Sequence, residues 1–203
     1  MFDIDKLSER FRDRERNILG HEKAMHSAVL VPLLRRNNEW HVLFEVRSHD
    51  LKRQPGEICF PGGRVEPQDE DDRETAVRET CEELQIPKER LEILGPLDIL
   101  VQSQNFFIYP YVGIIEEDTT IHPNEEVEEI FTVPLSWFRE NKPELHHLDM
   151  KIKPDQDFPF ELIPNGKNYN WRGRRMPEYF YIYKEWVIWG LTARILRHFL
   201  EFV

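Results

Sequence analysis

The feature that most restricts this fold is a burst of charge at residues 66–83, set just after a glycine pair. That window holds nine acids (Glu66, Asp69, Glu70, Asp71, Asp72, Glu74, Glu79, Glu82 and Glu83) against Arg73 and Arg78. The whole chain carries −11, so the window accounts for −7 and leaves only −4 for everything else. Such a run is either a solvated stretch or a cation site carried on a helix. Asp71 or Asp72 can cap a helix, with Glu74 three residues after Asp71 as its box partner, which predicts a helix running to about Leu84. At about 100° per residue, Arg78, Glu82, Glu79 and Glu83 share one arc, and Val77, Cys81 and Leu84 lie opposite. The helix can therefore bury its apolar side on a sheet and present carboxylates on the other.

Composition sets the class around that helix. The chain has 203 residues, 40% hydrophobic and 12% aromatic, which suits one sizeable domain, 1–203, and excludes a disordered chain. No apolar run nears the roughly 20 residues of a membrane span, so no membrane partner is expected. The acidic balance argues against duplex nucleic acid, whose affinity comes from Lys and Arg on phosphates. Cys59 and Cys81 make no disulfide framework and read as packed, reduced thiols. The N-terminus alternates acids and bases without an apolar signal core. The last residues, Glu201-Phe202-Val203, are not a Ser-Lys-Leu peroxisomal address. A cytoplasmic location is the expectation.

Along the chain, residues 1–26 form an extension with a charged helix over 3–16. Residues 27–48 read as a hairpin turning at Asn37-Asn38. Glu57 to Phe60 reads as a short strand entering the tight loop Pro61-Gly62-Gly63. Residues 91–102 and 106–115 read as strands, with Pro110 suggesting an edge or a bulge. Residues 127–138 read as a strand running into a short helix, and 139–185 as loops and short strands. An amphipathic helix over 185–202 closes the chain, with Ile188, Leu191, Ile195 and Phe199 at core spacing. The class is α/β.

Three carboxylates within one turn repel each other, which makes sense if divalent cations sit among them. Carboxylate oxygens are hard ligands suited to Mg²⁺ or Mn²⁺. On wheel geometry alone, a solvated face tamed by Arg78 is equally consistent. Gly62-Gly63 adds backbone N–H groups that can approach a ligand closely. Strand, glycine loop and acidic helix together suggest diphosphate chemistry.

These residues resemble a known family. Gly63, a spacer, Asp69, and then Arg78-Glu79-Thr80-Cys81-Glu82-Glu83-Leu84-Gln85-Ile86 resemble the Nudix box, here 63–86. Asp69 stands for the usual first Glu, eight residues instead of seven separate it from Arg78, and Gln85 replaces the late Gly. The first two departures, with VRSHDLKRQPGEICFPGG at 46–63, are similar to the branch that cleaves coenzyme A. Gln54 stands where many of its members carry His. PNEEVEEIFTVPLSWF at 123–138 and VIWGLTARIL at 187–196 resemble further segments of that branch.

The resemblance implies an α/β/α sandwich with a mixed sheet and a loop–helix–loop box. It implies Glu79, Glu82 and Glu83 as ligands of Mg²⁺ or Mn²⁺, with Arg78 orienting them. It also implies hydrolysis of coenzyme A, or of a derivative, to 3′,5′-adenosine bisphosphate and 4′-phosphopantetheine. The general base is either Glu79 or a distant acid such as Glu126, beside Glu125. Arg47, Lys52, Gly62 and Gly63 are candidate substrate contacts; Arg53 and the cluster Arg172, Arg174, Arg175 are weaker ones. His122, His146 and His147 lack metal-ligand spacing. The alternatives are a Nudix enzyme for another nucleoside diphosphate, such as ADP-ribose, and a silent nucleotide sensor. The sequence leaves the oligomeric state open.

Overall fold

The computed structural model describes residues 3–103 and 105–203; the first two residues of the 1–26 extension lie outside them. The extension holds α1 (Ile4–Arg12), capped by Asp3, which buries none of its residues. Strand β1 (Met25–Arg36) turns at Asn37 and Asn38, both at positive φ, into β2 (Glu39–Arg47). Two Asn residues tolerate that left-handed pair, so the expected hairpin forms where its turn chemistry places it. The short strands β3 (Ile58–Cys59) and β4 (Gly62–Arg64) follow, then α2 (Asp72–Leu84). Of the two expected caps, Asp71 is the one that closes α2, by accepting from the Glu74 N–H.

The main sheet is completed by β5 (Leu91–Pro96), β6 (Leu100–Ser103), β7 (Phe106–Ile115) and β8 (Val127–Pro134), which leads into α3 (Leu135–Glu140). Strand β1 pairs with β7 in parallel on one edge, and antiparallel with β4 and β2 on the other. Strand β8 closes the far side of β2, and β5 and β6 share the outer edge of β7. The expected single strand over 91–102 is therefore two. Pro110 corrects a second expectation: it lies in the interior of the sheet, beside Val29 of β1. Its carbonyl accepts from the Leu97 N–H, in the break between β5 and β6. Its missing N–H faces the same break, where no ladder bond is lost.

Beyond α3, in the stretch expected as loops and short strands, the strands join into a second sheet. Strands β9 (Glu144–Met150), β10 (Arg174–Tyr183) and β11 (Trp186–Ile188) lie in the order β11-β10-β9. The closing helix, expected from 185, starts at Gly190 as α4 (Gly190–Phe199). Trp186–Ile188 pairs with Tyr181–Tyr183 instead, because Gly190 at φ +64 breaks the helical path. Ile188 thus reaches the core from a strand, while Ile195 and Phe199 do so from the helix, as expected.

Both faces of the main sheet are covered. On one, Val42, Phe44 and Val46 of β2 pack with Phe131, Tyr181, Ile188 and the buried residues of α4. On the other, Leu34 and Leu43 pack with Leu84 of α2, Ile86 and Ile115. The result is a mixed α/β sandwich in which α2 lies across β1, β4 and β7.

Candidate active site

Strand β4 runs antiparallel to β1, with Gly62 opposite Val29 and Gly63 opposite Ala28. Gly62 has φ +152, and a Cβ there would collide with the Ala28 carbonyl. A Cβ on Gly63 would strike the Glu79 carboxyl group. Two bare backbones thus let α2 settle onto β4. The Gly62 N–H donates to Glu83 Oε2 at 2.8 Å, so a box carboxylate and the glycine loop hold each other.

Arg78 organises the next layer. Its Nε and Nη2 donate to the two oxygens of Asp69 at 2.9 and 3.0 Å. Its Nη1 reaches Glu79 at 2.9 Å and Glu82 at 3.4 Å. Asp69 also accepts from the Glu66 N–H and the Thr75 hydroxyl, at 2.9 and 2.7 Å. The Arg78 guanidinium holds the Asp69 carboxyl well below the usual carboxylate range.

The box glutamates are not presented together, which corrects the wheel reading. Glu82 is exposed (side chain 58%), Glu79 is partly enclosed, and Glu83 is buried at 5%. Both sides of α2 are covered near its end, one by the core around Leu84 and the other by Gly62. Among the described residues no three Asp, Glu, His or Cys side chains are gathered closely enough to hold a metal ion. Arg78 draws Glu79 and Glu82 toward itself, and Gly62 draws Glu83 away.

The donor chemistry nevertheless fits a hard divalent cation. The Glu83 carboxyl is pushed up to about 8, first by burial and then by the charges of Glu79 and Glu126, against the Gly62 N–H and Arg47. Glu79 is raised by burial, with Arg78 opposing. Glu45, which sequence reasoning missed, is only 1% exposed, and its Oε1 has no hydrogen-bond partner among the described residues. Burial raises its carboxyl, with Glu83 the next cause. Oxygen donors in excess of nearby cations are what Mg²⁺ or Mn²⁺ would neutralise. The signal for Glu45 was one charge in the apolar run Val42-Leu43-Phe44-Glu45-Val46.

Glu126 is exposed on the loop before β8, where its carbonyl accepts from the Ser48 N–H. The neighbouring Asn124 N–H donates to the Glu83 carbonyl, which ties this loop to the end of α2. Glu126 influences Glu45, Glu79 and Glu83 alike. Beside the glycine loop opens a cavity of about 390 Å³, lined by Arg47, Gly62, Gly63 and Gln54 among others. Lys52 and Arg53 are exposed and lie outside that lining, and Arg174 and Arg175 line a different cavity, with Met150 and Trp171.

Residues 24–156 match the model of the NUDIX domain. The chain belongs to this family. It is 37% identical over 140 residues to the mouse "Peroxisomal coenzyme A diphosphatase NUDT7", covering 68% of this chain and 58% of the mouse protein. It therefore spans less than two thirds of that relative. It is 33% identical over 177 residues to the "Uncharacterized Nudix hydrolase NudL" of Photorhabdus laumondii, covering 87% of this chain and 83% of that one. Among solved structures, a C. elegans Ap4A hydrolase binary complex matches at TM-score 0.47 and 23% identity, over 56% of this chain and 83% of that chain. Nudix hydrolases generally use divalent metal ions and act on small nucleotide substrates. Among the described residues no helix is long and apolar enough to cross a membrane.

Proposed function

We propose that this Nudix protein is a divalent-metal-dependent hydrolase of the diphosphate bond of coenzyme A or its derivatives. The observation that carries the reading is the junction at Gly62-Gly63. One side of that backbone holds the box carboxylates, and the other side lines the 390 Å³ cavity. A diphosphate lying over the glycines would have its reacting phosphorus toward Glu79 and Glu83 and its organic arms in the cavity. The choice of coenzyme A is supported by the 46–63 signature and by the name of the mouse relative.

In this reading Glu79, Glu82 and Glu83 hold Mg²⁺ or Mn²⁺. A bound ion would supply charge neutralisation at the phosphoryl oxygens and an acidified water. Arg78, fixed by Asp69, sets the rotamers of Glu79 and Glu82. Arg47, which lines the cavity, and Lys52, exposed five residues further on, offset the substrate's charge. Of the two candidate bases, Glu126 is favoured. Glu79 is held by the Arg78 guanidinium, whereas Glu126 is exposed and makes no ion pair among the described residues.

The test is a product assay. Protein with Mg²⁺ or Mn²⁺ is offered coenzyme A, ADP-ribose, diadenosine polyphosphates and nucleoside triphosphates separately. Release of 3′,5′-adenosine bisphosphate, dominant over the panel and abolished by chelator, is the expected result. Dominant cleavage of ADP-ribose would keep the carboxylate site and overturn the substrate. No turnover at all would leave nucleotide sensing as the reading.

A further inference from the structure

The cavity beside the glycine loop has one wall that the hydrolytic groups leave unexplained. Strand β10 alternates: Tyr179, Tyr181 and Tyr183 pack toward the core, so Glu178 points to the opposite face. Glu178 is nevertheless only 7% exposed, and it lines the cavity next to Trp189 and the start of α4. Its Oε2 is buried and has no hydrogen-bond partner among the described residues. A buried acceptor left without a donor loses its hydration and regains nothing in exchange.

Donors wait on the same wall. Among the described residues no side chain caps α4, and Leu191 and Thr192 of its first turn line the cavity. First-turn N–H groups have no acceptor within their own helix. The Thr192 hydroxyl is already committed to the Ile58 carbonyl at 3.0 Å, so the backbone is what remains to be satisfied. Phe60, Phe106 and Ile108 share the lining with Arg47, Glu57 and Arg194, whose guanidinium already donates to the Gln102 side-chain carbonyl at 2.9 Å. An anion would meet the helix N-terminus favourably and Glu178 unfavourably; a cation would meet the reverse. A neutral group that both donates and accepts satisfies both.

We propose that this wall is a subsite for a neutral amide-type group of the substrate. The N–H of that group donates to Glu178, and its acceptor atom takes an N–H at the start of α4. The proposal rests on the diphosphatase reading and adds how the substrate's organic arm is selected. In coenzyme A that pairing has two sources, the amides of the pantetheine arm and the amino edge of adenine. The amide arm is the occupant assigned here, because its alkyl spacers suit the apolar side chains of the lining.

The experiment uses the two halves of the substrate, neither of which is hydrolysed. Binding of 4′-phosphopantetheine and of 3′,5′-adenosine bisphosphate is measured by calorimetry on the full chain, for wild type, Glu178→Met and Glu178→Gln. Glu178→Met should weaken phosphopantetheine by about tenfold while leaving adenosine bisphosphate within about twofold. It should also unfold at the same or a higher temperature, because it removes an unpartnered buried carboxylate. Glu178→Gln keeps one acceptor oxygen and should recover most of the affinity. Weakened adenosine bisphosphate binding instead would overturn the amide arm in favour of adenine. Unchanged affinities, no binding of either half by wild type, or a lowered melting temperature with unchanged affinities would overturn the subsite. Coenzyme A turnover by wild type is read separately, so failure of the diphosphatase reading is distinguishable.

Discussion

Asp69 shows how one residue ties the box to pH. Its folded pKa lies below the value of about 3.9 expected for the unfolded chain. Its contribution is therefore fully present above about pH 4 and is lost as pH falls through the folded value. Asp69→Asn should cost about 2 kcal/mol at pH 7 and progressively less below pH 4, measured by urea unfolding across pH. Gln85 is the converse case. It closes α2 in the left-handed region at φ +50 with an exposed side chain, where the family box has Gly. Gln85→Gly should raise stability by about 0.5–1 kcal/mol, readable as a higher melting temperature. Glu82 tests the proposed ligand set. It is exposed, so Glu82→Gln should cut turnover by orders of magnitude with an unchanged unfolding curve.

At the scale of elements, adjacent glycines are expected to fail differently. Gly62→Ala pushes a Cβ into the β1 backbone at positive φ and should destabilise by about 2–3 kcal/mol, seen in thermal unfolding. Gly63→Ala meets the Glu79 side chain, which can turn aside, so it should cost turnover more than stability. The strand–glycine–helix unit was legible because its signals are local: a cap, a turn pair and a periodic helix within 30 residues. What escaped was non-local. Strand β9 pairs with β10 across more than 20 intervening residues, and nothing in Glu144–Met150 announces that partner. Trp186–Ile188 fits the period of the helix that follows it, yet its β-branched pair Val187-Ile188 and Gly190 were the signals of a strand and a break. Glu45 and Glu178 look like surface acids until the sheet buries them. Arc position on a wheel likewise could not say that Gly62 would cover Glu83.

Across the whole molecule, the family match ends at residue 156, but the core does not. Tyr181, Ile188, Ala193, Ile195, Leu196 and Phe199 pack in one cluster with Val31, Phe44 and Phe131. We therefore regard residues from 25 to 199 as one cooperative unit. A fragment spanning 24–156 should lack a sharp thermal transition and should bind a hydrophobic dye, since it removes six of the seventeen buried residues of that cluster. Strand β9 leaves a different mark. All seven of its residues are exposed and, among the described residues, only one of its edges is paired. Such a strand is a ready template for another copy of itself. Copies carrying −11 each repel over roughly 10 Å at 0.1 M salt, and over less as salt rises. Solutions of this protein should therefore scatter more light as salt is added and clear again on dialysis, so that its own charge acts as the solubiliser of an otherwise adhesive edge.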